Sequence, residues 1–379
     1  MKQLGFRRLA TMRRLSTLKR VAHCGQPAIL VVVFLLSIAS RVLSQERIKV
    51  ILDTDLGFAS DDAMALLILL ESERVDLLGV TVVTGNDWLR QEVANSLRLL
   101  ELAGRPDIPV YAGSERPLVN SQEEMRRRED LFGETSEGGY KGAWREGGPG
   151  PGEVRPPDGR FAARQAESTP AVNFIIETIR QHPGEVVLAA IGPLTNIALA
   201  VAKDPETATL AREIVIMGGG IGTLPEFNFW MDPEAARMVL RAPWRRLTLT
   251  PLNICEQAPF TPEVAIAAAE GDSPIARYFA ETFLERAEHP VSPLMYDQIA
   301  VISLLHRNVV TRSEEMWLDV EIDHGTSYGT TLFWNQNRRP PANVRRVEVQ
   351  QDLDYPRFIE AFLALMKRPL RSPEIPGGL

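Results

Sequence analysis

The chain has 379 residues, of which 45% are hydrophobic and 24% are charged, and its formal net charge is −7. This length and composition exclude an intrinsically disordered chain and suit one large α/β domain or two ordinary domains. The acidic surplus argues against a nucleic-acid duplex as partner, because proteins that bind one carry clustered positive charge.

The first 44 residues differ from the rest of the chain. They hold eight basic residues and no acid, and the 13-residue apolar run at 28–40 is followed by small residues, Val42 and Ser44, at the −3 and −1 positions of a cleavage site before Gln45. We expect residues 1–44 to be a secretory signal peptide, because this apolar run is short for a membrane span. The expected protein is therefore exported, periplasmic or extracellular, without stable membrane insertion after cleavage. An uncleaved N-terminal anchor is the alternative.

Removal of this segment changes the charge and the cysteine content. It leaves 34 basic and 49 acidic residues, a formal charge of −15, and Cys255 as the one remaining cysteine. An intrachain disulfide is then excluded, so the fold must depend on its hydrophobic core.

The stretch Ile48–Glu71 (IKVILDTDLGFASDDAMALLILLE) combines a strand, a turn and a helix. The apolar run before Asp53 and Asp55 predicts a buried strand, and the apolar spacing after Asp61 and Asp62 predicts a helix. Four carboxylates therefore gather at a strand end, where open α/β sheets bind ligands. Like charges this close are costly without a cation, and oxygen ligands favour Ca²⁺ or Mg²⁺ over zinc. The competing interpretation is that Asp61 or Asp62 only caps the helix.

Strands and helices then alternate along the chain. This order predicts an α/β fold with an open, mostly parallel, Rossmann-like sheet flanked by helices, in a single domain over residues 45–379. Strand patterns within residues 317–350 predict a small antiparallel addition near the C-terminus, and residues 368–379 a flexible tail. The other predicted strands are Val75–Val83, Ile108–Tyr111, Val186–Ile191, Glu213–Met217 and Leu247–Thr250, and the predicted helices include Trp88–Leu102, Pro170–Gln181 and Tyr355–Met366.

Residues 115–168 interrupt this alternation. The segment is rich in Gly, Pro and charged residues and has no apolar period. Such a stretch is typical of a functional loop or lid, or of an inert insertion. Its residues Tyr140 and Trp144 are the candidates for folding over a site.

Polar residues follow several of the predicted strands: Asn86, Thr195 with Asn196, Glu226 with Asn228, and Asp297 at the start of a later helix. The segments DTDLGFASDD, VTVVTGN, GPLTNIALA, VIMGG, EFNFWMDPEAA and YDQIAV resemble, in this order, those of the inosine–uridine-type nucleoside hydrolases. The resemblance extends from about Ile48 to Leu365. It implies a Ca²⁺-dependent N-ribohydrolase with an open parallel-sheet fold.

The resemblance also implies a role for each of these side chains. Asp55 would be the general base that takes a proton from water, so that ribose and a free base are released from a ribonucleoside. Three carboxylates and a carbonyl are a suitable ligand set for a hard cation. The implied Ca²⁺ ligands are Asp55, Asp62, Asp297 and the backbone carbonyl of Thr195. The implied substrate-binding residues are Asp61, Asn86, Glu226, Asn228 and Tyr296.

Some of these residues also have a purely structural interpretation. Asp53 fits a supporting position behind the site, and Asn196 is best explained as a helix-start residue. Glu226 and Asn228 are predicted to alternate along one extended face, so that both side chains can point into one site. The aromatic residues between and after them suit either the core or stacking on a base.

Two departures from the family pattern leave the leaving group open. Gly57 and Asp61 are separated by three residues, with Ala59 where an acid is usual, which resembles a DTDxGxDxDD branch of the family. In base-specific members a His precedes the last Asp, whereas here the residue is Tyr296. A tyrosine, with its ordinary pKa of about 10, is a poor proton donor at neutral pH.

Three other functions are compatible with the sequence. They are hydrolysis of another N-riboside, silent binding of ribosides by a secreted protein, and phosphatase activity of the haloacid-dehalogenase type. The last fits poorly, because Leu56 and Gly57 follow the second Asp. In the first two cases, as in nucleoside hydrolysis, the expected partner is a small nucleoside or riboside. A homo-oligomer is also compatible with the sequence.

Overall fold

A nine-stranded sheet dominates the computed structural model, which describes residues 47–270, 277–278, 282, 294–335 and 339–367. The expected signal peptide and the expected C-terminal tail lie outside these residues. The strands are β1 (Ile48–Thr54), β2 (Val75–Val82), β3 (Val110–Ala112), β4 (Val186–Ala190), β5 (Glu213–Met217), β6 (Leu247–Thr250), β7 (Val310–Val320), β8 (Thr331–Trp334) and β9 (Arg345–Leu353).

The strand order is β3-β2-β1-β4-β5-β6-β9-β7-β8. Strands β1 to β6 and β9 pair in parallel, whereas β7 pairs antiparallel with both β9 and β8. The predicted mostly parallel sheet with a C-terminal antiparallel addition is therefore confirmed. The chain runs outward from β1 in one direction and returns to β4 on the other side, so the crevice at the C-terminal ends of β1 and β4 is a topological switch point, where ligands bind in such sheets.

Helices cover both faces of the sheet. They are α1 (Asp61–Glu71), α2 (Leu89–Leu102), α3 (Gln122–Phe132), α4 (Ala171–Gln181), α5 (Thr195–Lys203), α6 (Glu206–Leu210), α7 (Phe227–Met231), α8 (Pro233–Arg241), α9 (Leu252–Cys255), α10 (Pro262–Ala268), α11 (Asp297–Leu305) and α12 (Tyr355–Met366). Within the described residues, no helix is long and apolar enough to cross a membrane.

The two faces of the sheet pack into separate apolar clusters. On one face, Val50 and Leu52 of β1 pack with α1, α11 and α12, and on the other Ile51 packs with α4, α5 and α8. Helix α1 lies between the sheet and helices α11 and α12, and all its residues after Asp61 are buried. Its continuous apolar sequence follows from this position, because a helix that is covered all round has no polar face.

The 115–168 segment contains helix α3 and two 3₁₀ turns, Glu137–Gly139 and Gly142–Trp144. No sequence pattern predicted α3, because its residues are almost all polar. A local signal is nevertheless present: Ser121 caps the helix by accepting a hydrogen bond from Glu124 N, in the spacing of a capping box.

Candidate active site

The DTDLGFASDD loop begins where β1 ends and leads into α1. Ser60 has an extended conformation, and its Oγ accepts a hydrogen bond from Ala63 N, so Ser60 is the N-cap of the helix. Asp61 and Asp62 lie in the first turn instead. The interpretation that one of them merely caps the helix is therefore wrong.

Asp62 is almost fully buried and is bound on several sides. It accepts hydrogen bonds from Thr54 Oγ1 at 2.5 Å, from Ser60 Oγ at 3.2 Å and from Asn86 Nδ2 at 2.9 Å. Asn86 also donates from its backbone N to Asp55 Oδ2 at 2.8 Å and from Nδ2 to the Asp55 carbonyl at 3.0 Å. Asn86, which follows β2, thus bridges the two acids that follow β1.

Two glycines allow the backbone to approach Asp55 from both sides. A Cβ at Gly85 would lie 2.1 Å from Asp55 Oδ2, and a Cβ at Gly192 would lie 2.6 Å from Asp55 Oδ1. Side chains do not fit at these distances. The two turns after β2 and β4 therefore enclose the Asp55 carboxylate only because both residues are glycine.

Asp297 completes the acid cluster. Carboxylate oxygens of Asp61, Asp62 and Asp297 lie within 4.8 Å of one another, and Asp297 is the first residue of α11. The N-cap of that helix is Tyr296, so Asp297 is not a cap. This group of three includes Asp61, which the family resemblance assigns to sugar binding. Asp55 is not in the group, but it is linked to Asp62 through hydrogen bonds from Asn86.

Burial and mutual repulsion raise the pKa of each acid in this cluster. Burial, and secondly the charge of Asp62, raises the pKa of Asp55 well above its ordinary value and that of Asp61 to about 7. Burial also raises the pKa of Asp62 and of Asp297, the latter further through Asp61. A bound cation would offset the free-energy cost of ionising these buried acids, because it favours the ionised form of every carboxylate that it contacts.

Glu92 is a further residue of the site, and it was not among the residues predicted from the sequence. This buried acid of α2 accepts hydrogen bonds from Asp87 N at 2.6 Å and Gly85 N at 3.3 Å, and so fixes the turn that carries Asn86. Burial, and secondly the charge of Asp55, raises its pKa. Its position in the first turn of a helix is the signal that could have indicated this role.

Asn196 is more than the helix-start residue that the sequence suggested. It is fully buried, its Nδ2 donates to Asp53 Oδ1 at 2.9 Å and to Val82 O at 3.1 Å, and its Oδ1 accepts from Ser114 N at 2.9 Å. The side chain thus connects the ends of β1 and β2 with the chain after β3. The position of Asp53 beneath it fits the supporting role predicted for that acid.

Thr195 opens α5, and its side chain is committed to the protein. Its Oγ1 donates to Asp232 Oδ2 at 2.6 Å, and Asp232 in turn caps α8 through Ala235 N. The predicted metal contact of Thr195 concerns its backbone carbonyl, so this side-chain bond does not compete with it.

Glu226 and Asn228 lie in a helical turn and not in the extended stretch that we predicted. Glu226 caps α7 by accepting from Asn228 N and Phe229 N, and it also accepts from Gly219 N at 2.7 Å. Asn228 Nδ2 donates to the carbonyls of Ile191 at 2.8 Å and Met217 at 3.1 Å. The Met217 carbonyl ends β5 and the Ile191 carbonyl directly follows β4, so the Asn228 side chain nevertheless lies at the C-terminal edge of the sheet.

The aromatic residues near this edge divide into two groups. Phe229 and Trp230 are fully buried, and Trp230 donates from Nε1 to Thr135 Oγ1, so both belong to the core. Phe227 is half-buried, and the ring of Tyr140 packs on it edge to face at 4.9 Å. Residues 140–145 of the 115–168 segment, which we call the strap, thus reach the acid crevice.

A cavity of about 430 Å³ is a separate feature. It is lined by Thr84, Trp88, Arg116 and Trp144 among others, and by none of the acids of the cluster. The acid crevice and this cavity are therefore distinct.

Comparison with known proteins identifies the family. Residues 50–360 match the family described as "Inosine-uridine preferring nucleoside hydrolase". The chain belongs to this family. It is thus one of the hydrolases that act on N-glycosyl compounds.

Two curated relatives are similar to the chain. The pyrimidine-specific ribonucleoside hydrolase RihB of Escherichia coli (strain K12 / DH10B) is 32% identical over 299 residues, which cover 76% of this chain and 87% of RihB. The uncharacterised protein C1683.06c of Schizosaccharomyces pombe is 40% identical over 216 residues, which cover 55% of this chain and 62% of that protein.

Solved nucleoside hydrolases share the fold. The plant nucleoside hydrolase PpNRh1 superposes with a TM-score of 0.68 at 26% identity, over 85% of this chain and 99% of the plant chain. The purine-preferring ribonucleoside hydrolase of Gardnerella vaginalis superposes with a TM-score of 0.66 at 24% identity, over 84% of this chain and 98% of the Gardnerella chain. At this identity the second comparison concerns the fold alone.

Proposed function

We propose that the chain hydrolyses the N-glycosidic bond of ribonucleosides, with Ca²⁺ at the acid cluster and Asp55 as general base. The observation that carries this proposal is the convergence of Asp55, Asp61, Asp62 and Asp297 at the switch point of a nucleoside hydrolase fold. Such a convergence is costly in an empty crevice and useful around a cation and a positively charged sugar.

The donor set fits a hard cation. The three clustered carboxylates offer only oxygen, and in this family fold a fourth oxygen would come from the carbonyl of Thr195. Asp55, Asp62 and Asp297, with the carbonyl of Thr195, are the groups we expect to hold Ca²⁺, and the carboxylate of Asp61 lies in the same cluster. When bound, the ion supplies positive charge that neutralises these acids and makes nearby water more acidic.

The protein's own groups then position and move the proton. Asn86 N donates a hydrogen bond to Asp55 Oδ2 and so fixes the orientation of this carboxylate, which would take the proton of a water molecule in the crevice. That water attacks C1′ of the sugar and gives its proton to Asp55, while the bond from C1′ to the base breaks and its electron pair stays on the base nitrogen. The carboxylates around the crevice stabilise the positive charge that develops on the sugar ring.

A substrate panel tests the proposal directly. Uridine is the first substrate to use, because the 32%-identical relative RihB is pyrimidine-specific. We expect reducing sugar to be released from uridine in the presence of Ca²⁺, and inosine, nicotinamide riboside and p-nitrophenyl riboside complete the panel. Binding of uridine with no reducing sugar over hours would instead support a silent riboside-binding protein.

Gly85→Ala tests the close approach to Asp55. The added methyl group would displace the carboxylate or the turn, so we expect kcat to fall about 100-fold, as for a misplacement of about 1 Å. We also expect a loss of about 1–3 kcal/mol of stability from overpacking. Gly150→Ala is the matched control, since no atom lies within 4 Å of a Cβ there. Equal activities of the two variants would contradict this account of the turn.

Export is proposed from the first 44 residues and is tested by the mature N-terminus. N-terminal sequencing of the protein secreted by its host should begin at Gln45, and cell fractionation should place it outside the cytoplasm. A chain that retains Met1 and sediments with membranes would identify the segment as an anchor.

A further inference from the structure

The strap is fastened to the turn that carries Asn86. Ala143 N donates to Gly85 O at 2.8 Å, Arg145 Nη1 donates to Asn86 O at 3.2 Å, and Arg145 Nη2 pairs with Asp87 at 2.9 Å. Each residue of the turn therefore has a contact with the strap. This arrangement holds Tyr140, the first residue of the strap, at the acid crevice.

The hydroxyl of Tyr140 donates to Asn86 Oδ1 at 2.8 Å. The two hydrogens of Asn86 Nδ2 point to the Asp55 carbonyl and to Asp62 Oδ2. Because a tyrosine has one hydroxyl hydrogen and an amide has two, all three donors are committed within the protein. What these two side chains still offer to a ligand is acceptor capacity only.

Tyr140 is also open to a ligand. Half of its surface is exposed, and its ring is supported from one side by Phe227, the residue between Glu226 and Asn228. Partial burial and the negative charges of Asp55, Asp61 and Asp62 raise its pKa. The hydroxyl therefore stays protonated and keeps its bond to Asn86.

We propose that Tyr140 contacts the substrate, its hydroxyl oxygen accepting a hydrogen bond from a hydroxyl group of the sugar. The proposal rests on the proposed function, since a riboside brings several hydroxyl donors into this crevice. It makes the 115–168 segment a part of the substrate site. Asn86, whose amide hydrogens are used, then serves chiefly to hold the acids.

The test is a double-mutant-type cycle, in which one hydroxyl is removed from the protein and one from the ligand and the effects on binding are compared. Calcium-loaded Asp55→Asn protein is titrated by calorimetry with uridine and with 2′-deoxy-, 3′-deoxy- and 5′-deoxyuridine, with and without Tyr140→Phe. We expect Tyr140→Phe to weaken uridine binding about three- to tenfold, the range of one neutral hydrogen bond. For the one analogue that lacks the partner hydroxyl, the loss should disappear.

The other outcomes decide against the proposal. An equal loss on all four ligands would show that Tyr140 only braces Asn86, and no loss on any ligand, or no binding at all, would also overturn it. Tyr355→Phe is the matched control, because its hydroxyl donates to Pro259 O on another part of the chain. The Tyr140 effect is measured by binding in Asp55→Asn protein. If that effect is present but the wild-type protein releases no ribose, the proposed function is refuted and the contact stands.

Discussion

Asp55→Asn should stop the release of ribose while leaving the chain folded. The amide keeps the shape of the carboxylate but accepts no proton, and loss of a general base lowers kcat by about 10²–10⁴-fold. The variant also removes one of the mutually repelling charges, and the pKa of Asp55 is raised by burial and by Asp62. We therefore expect its melting temperature in EDTA at pH 8 to equal or exceed that of the wild type.

The measurement is reducing sugar from uridine together with a thermal melt. Asp107→Asn is a suitable control, since this exposed acid of the α2–β3 connection lies away from the cluster and pairs with the nearby Arg105. It should keep full activity. Wild-type activity in Asp55→Asn would remove Asp55 from the reaction, and an unfolded variant would show that its role is structural.

Removal of divalent cations should have an effect of similar size. Exhaustive treatment with EDTA is expected to abolish ribose release, and Ca²⁺ should restore it. The same treatment should lower the melting temperature, because a ligand that binds only the folded chain stabilises it. Activity that survives EDTA would refute the role of the metal.

The size of the calcium effect should depend on pH. The pKa of Asp61 and that of Glu226 are each raised to about 7, chiefly by burial. For such an acid the folded state holds its proton longer than the unfolded state, so metal-free stability falls as pH rises from about 4 to 7 and stays low above it. Calcium favours the ionised acids around it, so its gain in melting temperature should grow between pH 5 and pH 8. A gain that is constant over this range would contradict the raised pKa values.

Local sequence patterns were enough to predict the sheet and the position of the acids at its edge. The stretch Ile48–Glu71 contains its own strand, turn and helix signals, and the alternation after it determines a parallel sheet whose strand ends meet at one edge. For this reason Asp55, Asp62 and Asn86 could be placed together before their contacts were known. The helix of Glu226 and Asn228 could not be predicted, since five residues are too few to show a helical period.

Contacts between distant residues account for the other differences. Asn196 looked like a helix-start residue because its partners, Asp53 and Ser114, are far away in sequence and meet it only in the folded sheet. The contact of Tyr140 with Asn86 is equally non-local. Helix α3 was missed because its stability comes from caps and from its fit on the domain, not from an apolar stripe.

The distance in sequence between the members of the acid cluster has a consequence for biosynthesis. Asp55, Asp61 and Asp62 are made early, and Asp297 is made only after most of the sheet. A nascent chain, or a chain truncated before Asp297, therefore lacks the complete cluster. In the full chain, contacts of such long range form late in folding. Tight calcium uptake would then mark a completed molecule, and a calcium-dependent rise in melting temperature would serve as an assay of correct folding for any variant of this chain.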